Sequence, residues 1–395
     1  MDILILAQYC GSFSPADNDR FFDLARLLAK EHEVEIVTSS FRHEVKRQRN
    51  REETPEDEVK ITAPFEPGYP RNVCLGRFKS DYVWGRNVLR YLKQRKKPDV
   101  VYCAVPSLAG PLKAAKFCER NGIRFIVDVQ DLWPEAFRMA LDIPGISGLL
   151  FAPFMRMADG IYRRADAVCG VSEEYCNRAL RVNRKGAKGT AVYLGTALEV
   201  FDRSAEAFAA EKRSGETWLG YVGTLGTSYD LPVVFEALRK IDYPGLKFIV
   251  MGDGPLADDF KKQAEGLPAV FTGRIPYDRM CGILKQCDIV VNPIVGSSVA
   301  TIINKHGDYA AAGKPVLNTQ AGQEYRRLVE EYRMGFNCRN HDPADLAEKL
   351  EILLKDPGLR AEMGRNARRC AEEKFDRAKS YGRLREVILQ KDREQ

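Results

Sequence analysis

The feature that most constrains the fold is an alternation of short, continuously apolar runs with segments of helical periodicity. Residues 2–7 form such a run after the first aspartate, as expected for a strand buried on both faces of a parallel sheet. Residues 20–30 then repeat apolar side chains at helical spacing, and residues 34–38 form a second short apolar run. The pattern predicts a βαβ unit with a right-handed crossover.

The same alternation continues along the chain and starts again near residue 217. In the first half it predicts a helix over 108–121 and strands at 99–104, 124–128, 167–172 and 190–194. In the second half it predicts a helix over 231–241 and strands at 218–222, 247–251, 269–272, 287–292 and 315–318. Two such series predict an α/β fold with two doubly wound, Rossmann-like domains that face each other across a cleft.

Three other segments differ from this pattern. Residues 42–60 are highly charged and are predicted to form a surface excursion, and residues 201–217 are polar enough to be a linker. Residues 342–392 are helical in pattern, with interruptions predicted at Gly364 and at 372–374.

Composition narrows the class of protein. The 395 residues carry a formal net charge of +6, and the whole excess lies in residues 1–197, which favours an anionic partner for that half. The ten cysteines include no CxxC pair and the four histidines have no ligand spacing, so no metal site is predicted and the thiols are expected to be reduced. We also expect neither a signal peptide nor a membrane-spanning segment, because no apolar run is long enough.

Three loops of the second half have the character of phosphate-binding turns. They are GTLGT at 223–227, GDGP at 252–255 and NKHGD at 304–308, and each falls where a strand ends or a helix begins. The first half lacks a GxGxxG turn after its first strand, where Gly11 stands alone, and a dinucleotide-dependent oxidoreductase is therefore disfavoured. Neither a Walker A loop nor a GxSxG elbow is present.

Several strings together resemble the family 4 glycosyltransferases. They are YRRADAVCGVSE at 162–173, YVGTLG at 221–226, VMGDGPL at 250–256, FTGRIP at 271–276 and DYAAAGKPV at 308–316, in that family's order. DVQDLWPE at 128–135 is similar to a motif of a bacterial branch that builds surface polysaccharides.

The resemblance implies the GT-B fold, with an acceptor-binding domain over 1–197 and a nucleotide-sugar donor domain over 198–375. It also implies that residues 376–395 pack back on the first domain. The implied reaction is metal-independent transfer from a nucleotide sugar, with retention at the anomeric carbon and no cofactor. In our interpretation the nucleotide sugar is UDP-linked.

Donor-binding residues follow from the motif positions. A leaving diphosphate without a metal needs cations and amide dipoles, and Arg274 and Lys305 match basic positions of this branch. Asp308 falls where the family's second glutamate binds ribose hydroxyls. Backbone amides are expected to contribute at the remaining predicted positions, which are Gly223, Thr224, Ile302 and Ile303.

The sequence departs from the family pattern at three donor positions. Ala300 stands where the family's first glutamate would contact the donor sugar, and Thr224 and Tyr229 stand where an arginine and a lysine are common. These departures leave an alternative open, a non-catalytic GT-B partner subunit. A second alternative is a sugar-nucleotide epimerase, which would turn over a UDP-sugar without any acceptor.

On the acceptor side, Asp128, Gln130 and Asp131 are predicted to follow a strand and face the cleft, together with Gly11. Gln130 cannot titrate, so Asp131 is the candidate to orient or deprotonate the acceptor hydroxyl; capping of the following loop is its structural alternative.

Two segments suggest a membrane surface. Residues 146–164 mix large apolar side chains with arginines, and a basic run over 71–97 is interleaved with Tyr82, Trp84 and Tyr91. We expect a lipid-linked acceptor, a polyprenyl diphosphate, and peripheral attachment to the cytoplasmic face of the inner membrane. A core helix and a solvated helix face remain the structural alternatives, and nucleic acid is not expected as a partner. The resulting hypothesis is a glycosyltransferase of cell-surface polysaccharide biosynthesis.

Overall fold

The structure is a computed structural model that describes residues 1–11, 13, 19–50, 59–72, 74–136, 147–208, 211–296 and 301–390. The chain divides into two compact units. The first unit comprises Met1–Tyr193 and Tyr381–Gln395, and the second comprises Leu194–Ser380.

The strands, in chain order, are β1 (Asp2–Leu6), β2 (Glu33–Val37), β3 (Phe41–Arg42), β4 (Arg47–Gln48), β5 (Lys60–Thr62), β6 (Val100–Val105), β7 (Arg124–Val129), β8 (Ala167–Gly170), β9 (Gly189–Ala191), β10 (Thr217–Val222), β11 (Leu246–Met251), β12 (Ala269–Gly273), β13 (Ile289–Asn292), β14 (Val316–Asn318) and β15 (Gly335–Asn337).

The helices described are α1 (Arg20–Ala29), α2 (Leu75–Gln94), α3 (Ala109–Asn121), α4 (Ser147–Tyr162), α5 (Glu173–Leu180), α6 (Leu198–Ala207), α7 (Leu231–Leu238), α8 (Ala257–Gln263), α9 (Tyr277–Gln286), α10 (Asn304–Ala312), α11 (Gln323–Tyr332), α12 (Pro343–Lys355), α13 (Pro357–Cys370) and α14 (Arg377–Leu389). A π-helical turn, Ala371–Phe375, separates the last two.

The first unit contains a seven-stranded parallel sheet in the order β5-β2-β1-β6-β7-β8-β9. Strand order reverses between β1 and β6, and in open α/β sheets ligands bind outside the carboxyl ends of the strands at such a switch point. Three side chains of α14, Tyr381, Leu384 and Ile388, belong to the core that covers this sheet. Arg124 at the start of β7 donates hydrogen bonds to the last carbonyls of α14.

The second unit contains a six-stranded parallel sheet in the order β12-β11-β10-β13-β14-β15. Its switch point lies between β10 and β13. The buried Tyr309 of α10 ties the helix to both strands, because its hydroxyl accepts from the Val222 amide at 2.9 Å and donates to the Val291 carbonyl at 3.1 Å. The sequence prediction of two doubly wound Rossmann-like domains is confirmed.

Three local predictions need correction. The predicted linker at 201–217 begins inside α6, which buries Leu198 and Phe201 and packs against α9. Gly364 does not interrupt the C-terminal helices but lies inside α13, where a β-carbon would come within 2.4 Å of the Gly313 carbonyl oxygen. The glycine therefore permits close helix packing. The charged segment 42–60 is not only surface loop, since β3 and β4 form an antiparallel hairpin and β5 joins the sheet edge.

Candidate functional site

A pocket of about 960 Å³ opens at the carboxyl ends of the strands in the second unit. It is lined by Val222, Gly223, Thr224, Met251, Gly252, Asp253, Gly254, Arg274, Ile275, Pro276, Tyr277, Met280 and Asp308. Four of the predicted donor-binding residues, Gly223, Thr224, Arg274 and Asp308, therefore line one pocket.

Glycines bring the loops of this pocket into backbone contact. Gly223 and Gly252 have positive φ angles of 147° and 154°, which side-chain-bearing residues rarely adopt. A β-carbon on Gly252 would lie 1.9 Å from the Gly223 carbonyl oxygen, and one on Gly254 would lie 2.4 Å from the Leu225 carbonyl oxygen. The two loops thus approach each other through backbone atoms, an arrangement that leaves backbone amides available to a diphosphate.

Lys305, in the first turn of α10, points its ammonium group at this wall. Nζ lies 4.2 Å and 4.1 Å from the ring centres of Tyr221 and Tyr229, and 2.9 Å from the position of a β-carbon on Gly223. The side chain is buried, and Nζ has no hydrogen-bond partner among the described residues. Burial holds the pKa of Lys305 well below its usual value, so an anion beside Nζ would favour the charged form.

The start of α10 adds amide groups beside this cation. Ile303 occupies the N-cap position, and its amide donates to Nδ1 of His306, which is itself buried and stacked on Tyr325. Ile302 is buried directly before it. Burial, with a smaller contribution from Lys305, lowers the pKa of His306, so the imidazole is a neutral core group and a support for the turn.

Asp308 lies one helical turn further along α10. Its Oδ1 accepts hydrogen bonds from the Thr196 hydroxyl at 2.8 Å and the Tyr277 hydroxyl at 3.0 Å. Burial raises the pKa of Asp308 to about 6. The sequence interpretation missed Thr196 and Tyr277, because neither belongs to a recognisable motif.

Arg274 is exposed at the pocket edge and makes no ion pair within the described parts of the chain. Tyr229, which replaces a common lysine, contributes an aromatic face to the Lys305 ammonium instead. Ala300 lies outside the described residues.

In the first unit, the structure separates the predicted acceptor-side residues. Asp128 does not follow a strand but lies within β7, fully buried, and its two oxygens pair with Nε and Nη2 of Arg20 at 2.9 and 3.1 Å. Arg20 also donates to the Val192 carbonyl. Asp128 is therefore buried in a structural ion pair and has no direct access to an acceptor, which corrects the prediction that it faces a cleft.

Gln130 and Asp131 follow β7. The backbone amide of Gln130 donates to the Val105 carbonyl at 2.7 Å, while the buried side-chain Nε2 has no partner among the residues described. Asp131 Oδ1 accepts from the Leu132 amide at 2.8 Å, and burial raises the pKa of this carboxyl group. Gly11, after β1, donates its amide to Asp19.

Most of the basic run over 71–97 lies in α2 (Leu75–Gln94), and its aromatic residues differ in exposure. Trp84 is not part of a surface patch; it is fully buried and donates to the Thr38 carbonyl. By contrast, Leu75 is 86% exposed, and Phe78 and Tyr82 are exposed on the same helix face. Phe78 packs at 5.0 Å on Phe154 of α4, within the segment predicted to contact a membrane. In the described part of the chain, no helix combines the length and the apolarity needed to cross a bilayer.

Comparisons with known proteins agree with this architecture. The family model described as "Glycosyl transferase 4-like domain" matches residues 18–195, and the model described as "Glycosyl transferases group 1" matches residues 216–356. Together the two models cover most of both units.

Two glycosyltransferases and one sulfoquinovosyl transferase illustrate the relatives. The putative glycosyltransferase EpsD of Bacillus subtilis is 22% identical over 73% of this chain and 76% of its own length. The probable glycosyltransferase WbjE of Pseudomonas aeruginosa is 22% identical over 58% of this chain and 60% of its own. The sulfoquinovosyl transferase SQD2 of Arabidopsis thaliana is 30% identical over 40% of this chain, and the chain spans 30% of that protein.

Solved structures match over nearly the full length. HepE of Anabaena, solved in complex with UDP, has a TM-score of 0.70 at 17% identity and covers 98% of this chain and 99% of its own. Sucrose-phosphate synthase of Thermosynechococcus elongatus has a TM-score of 0.71 at 13% identity, with 98% of each chain covered. The fold is GT-B. The chain belongs to family 4 of the glycosyltransferases.

Proposed function

We propose that the protein transfers a sugar from a UDP-linked donor to a lipid-linked acceptor in cell-surface polysaccharide biosynthesis, with retention at the anomeric carbon and without a metal. The observation that carries the donor half is the buried Lys305 ammonium, which has no acceptor among the described residues and is directed at the Gly223 loop. A cation without a partner in a low-dielectric site is costly, and a diphosphate would satisfy it.

The residues at the pocket offer separate groups for the diphosphate and for the ribose of a nucleotide in this proposal. The Gly223 loop and the Ile302 amide before α10 would hold the diphosphate with Lys305, whereas the Ile303 amide already donates to His306. Arg274 would approach from the rim. As the bond from the sugar to the diphosphate breaks, these groups would stabilise the charge that develops on the leaving oxygen. Asp308 would accept hydrogen bonds from ribose hydroxyls through Oδ2, because both of its internal bonds fall on Oδ1.

The choice of UDP as the donor nucleotide is supported by HepE, which shares the fold and was solved with UDP and with UDP-glucose. Thermal-shift measurements with UDP, GDP and a panel of UDP-sugars at one common concentration test this choice, since a tighter-binding ligand stabilises the folded state more. We expect UDP and one UDP-sugar to raise the melting temperature most. A stronger effect of GDP would refute the assignment of the base.

For the acceptor half, Asp131 would hold the acceptor hydroxyl and accept its proton. The exposed Leu75, Phe78 and Tyr82, next to basic residues of α2, favour attachment to an anionic membrane. We expect the protein to float with vesicles that contain phosphatidylglycerol and not with pure phosphatidylcholine, and Leu75→Asp to weaken the association. Equal binding to both vesicle types would contradict an electrostatic contribution.

The second candidate is a partner subunit that binds the nucleotide without turnover, which Ala300 and Thr224 favour because two family side chains are missing there. Release of UDP from the preferred UDP-sugar, with and without a lipid diphosphate acceptor and in the presence of EDTA, separates the two. Release that requires the acceptor and resists EDTA is expected. Tight binding without release across the donor panel would favour the partner subunit.

A further inference from the structure

A cluster of aromatic rings and cations lies at the switch point of the first unit. It shares Arg77 with the basic run over 71–97 and Trp133 with the motif at 128–135, but its other members lie outside the predicted sites. We call it the Arg77 cluster; its members are Tyr9, His43, Lys46, Tyr69, Arg77 and Trp133. Tyr9 follows β1, the β3–β4 hairpin carries His43 and Lys46, Tyr69 lies in the loop between β5 and α2, Arg77 lies in the first turn of α2, and Trp133 follows β7. Five separate segments therefore bring these side chains together.

The rings surround the guanidinium group of Arg77. Its central carbon lies 4.3 Å from the ring centre of Trp133, 5.4 Å from that of Tyr69 and 5.8 Å from that of Tyr9. Nζ of Lys46 lies 5.1 Å from the ring centre of Tyr69. Stacking on aromatic faces restricts the arginine while its N–H groups stay directed along the plane of the group.

The cations of this cluster form no direct ion pair within the described part of the chain. Neither Arg77 nor Lys46 has a carboxylate oxygen within 4.0 Å among the described residues. Arg77 donates to the Asn72 carbonyl and, at 3.3 Å, to the Tyr9 hydroxyl, while its buried Nε finds no acceptor in the described structure. Lys46 donates to the Asn72 side chain and the His43 carbonyl.

Titratable groups near the cluster act on its cations without pairing directly with them. Burial, Lys46 and Arg77 lower the pKa of His43 to about 4, so the imidazole is neutral at pH 7. Burial and the charge of Arg77 also lower the pKa of Lys46.

Three carboxyl groups lie near these cations. Asp81, one turn along α2, accepts from the Ala109 amide; burial raises its pKa to about 6, which leaves it mostly ionised at pH 7. Asp81 and Asp131 attract Arg77, and Glu44 attracts Lys46, but none of them forms an ion pair with either cation in the described structure. The cations therefore keep hydrogen-bonding capacity for an anion from outside the protein.

Lys46 is held in this position by an uncommon backbone conformation. Its φ is +54°, in the left-handed region that side-chain-bearing residues rarely adopt, at the turn of the β3–β4 hairpin. Such strain persists where the surrounding structure determines it and is concentrated at ligand sites.

We propose that the Arg77 cluster binds a phosphate or diphosphate group of the acceptor. Arginine forms paired hydrogen bonds with phosphate oxygens, and a lysine beside it adds a second charge. Trp133 hydrogen-bonds to Asp131, so an anion held here lies next to the carboxylate assigned to the acceptor hydroxyl. The inference rests on the proposed function in one respect, namely that the bound anion belongs to the acceptor. Binding of an anion at this cluster can be tested without any transfer reaction.

The phosphate could belong to a lipid carrier or to a soluble sugar phosphate. Three probes separate these sources: farnesyl diphosphate, glucose 1-phosphate and inorganic pyrophosphate. Affinities are measured by titration calorimetry on the full chain in the presence of saturating UDP, which keeps the probes out of the second unit. UDP affinity is measured first, so that failure of the donor assignment is recorded separately.

The variants are Arg77→Met, Lys46→Met and the control Arg120→Met, which removes an exposed charge from α3 of the same unit. We expect Arg77→Met to weaken binding by about tenfold or more, since charge-assisted hydrogen bonds are lost, and Lys46→Met to weaken it less. Arg120→Met should leave the affinities and the melting temperature unchanged. If Arg77→Met does not fold, the probe affinities of Lys46→Met still test the site.

Binding of farnesyl diphosphate alone would identify a lipid carrier as the source, and binding of all three probes would show that a free phosphate suffices; both outcomes support the site. Affinities of Arg77→Met and Lys46→Met equal to wild type would overturn it, as would the absence of binding of every probe to the wild type at millimolar concentration. If the wild type does not bind UDP but binds the probes in a way that depends on Arg77, only the donor assignment is refuted.

Discussion

The switch points of the two sheets differ in the groups that surround them, which are glycine backbone in one unit and large side chains in the other. In the second unit, the ends of β10 and β11 continue into glycines whose backbones touch, and one buried lysine supplies the charge. In the first unit, the ends of β1 and β7 continue into large side chains that surround Arg77. Backbone amides suit a group common to every donor, whereas side chains can vary with the acceptor. The difference explains why the donor loops are recognisable as glycine motifs, whereas in the Arg77 cluster only Trp133 falls within a recognised motif.

The largest expected effect is a loss of stability in the first unit, where it distinguishes the structural role of Asp128 from a role in acceptor binding. Asp128→Asn leaves the buried Arg20 charge without its anion, and we expect a loss of about 3–5 kcal/mol in the free energy of unfolding. Asp202→Asn is the control, because its pair with Arg368 is partly exposed and contributes about 0–1 kcal/mol. Urea denaturation measures both. A small loss for Asp128→Asn would mean that this ion pair does not hold the first unit together.

The glycine wall of the second unit is tested by Gly252→Ala. The added β-carbon meets the Gly223 carbonyl oxygen and occupies an unfavourable φ, so we expect a loss of about 2–5 kcal/mol together with loss of UDP binding. Gly266→Ala also has a positive φ but nothing within 4 Å, and should cost only about 1 kcal/mol with UDP affinity unchanged. Similar losses in the two variants would show that backbone contact between the loops is unimportant.

Lys305→Met should change stability in the opposite direction. It removes a buried ammonium with no acceptor in the described structure, and we expect the unliganded protein to gain about 1–3 kcal/mol. Lys240→Met, at an exposed position, should stay within about 0.5 kcal/mol of wild type. Destabilisation by Lys305→Met would indicate that the protein itself satisfies this cation.

The smallest expected effect is a pH dependence from Asp308. Its pKa of about 6 in the folded state exceeds the usual value of 3.8, so between about pH 4 and 6 the folded state binds more protons than the unfolded state. Stability from this group therefore falls as pH rises through that interval. Free energies of unfolding at pH 4, 5, 6 and 7 should show the decline in the difference between wild type and Asp308→Asn. A difference that is constant or rises with pH would contradict the burial of this carboxylate.

The sequence predicted the two sheets because buried parallel strands have continuous apolar runs, and it predicted the donor loops because glycines follow those strands. It failed where tertiary contacts decide. Gly364 is a helix breaker by propensity but permits packing against Gly313, and Asp128 has the pattern of a strand-end acid but is matched by Arg20, 108 residues away. The Arg77 cluster combines side chains from five segments with no shared spacing, so no single sequence motif predicts it.

The most direct test of the account is the affinity of UDP for wild type, Lys305→Met and Arg274→Met, measured by titration calorimetry on protein of verified stability. We predict binding to the wild type, an affinity lower by about tenfold or more in Lys305→Met and a smaller decrease in Arg274→Met, because the first cation is buried in the pocket wall and the second is exposed at its edge. Equal affinities in all three proteins, or no binding of UDP to the wild type, would contradict the claim that the second unit holds a nucleoside diphosphate through Lys305.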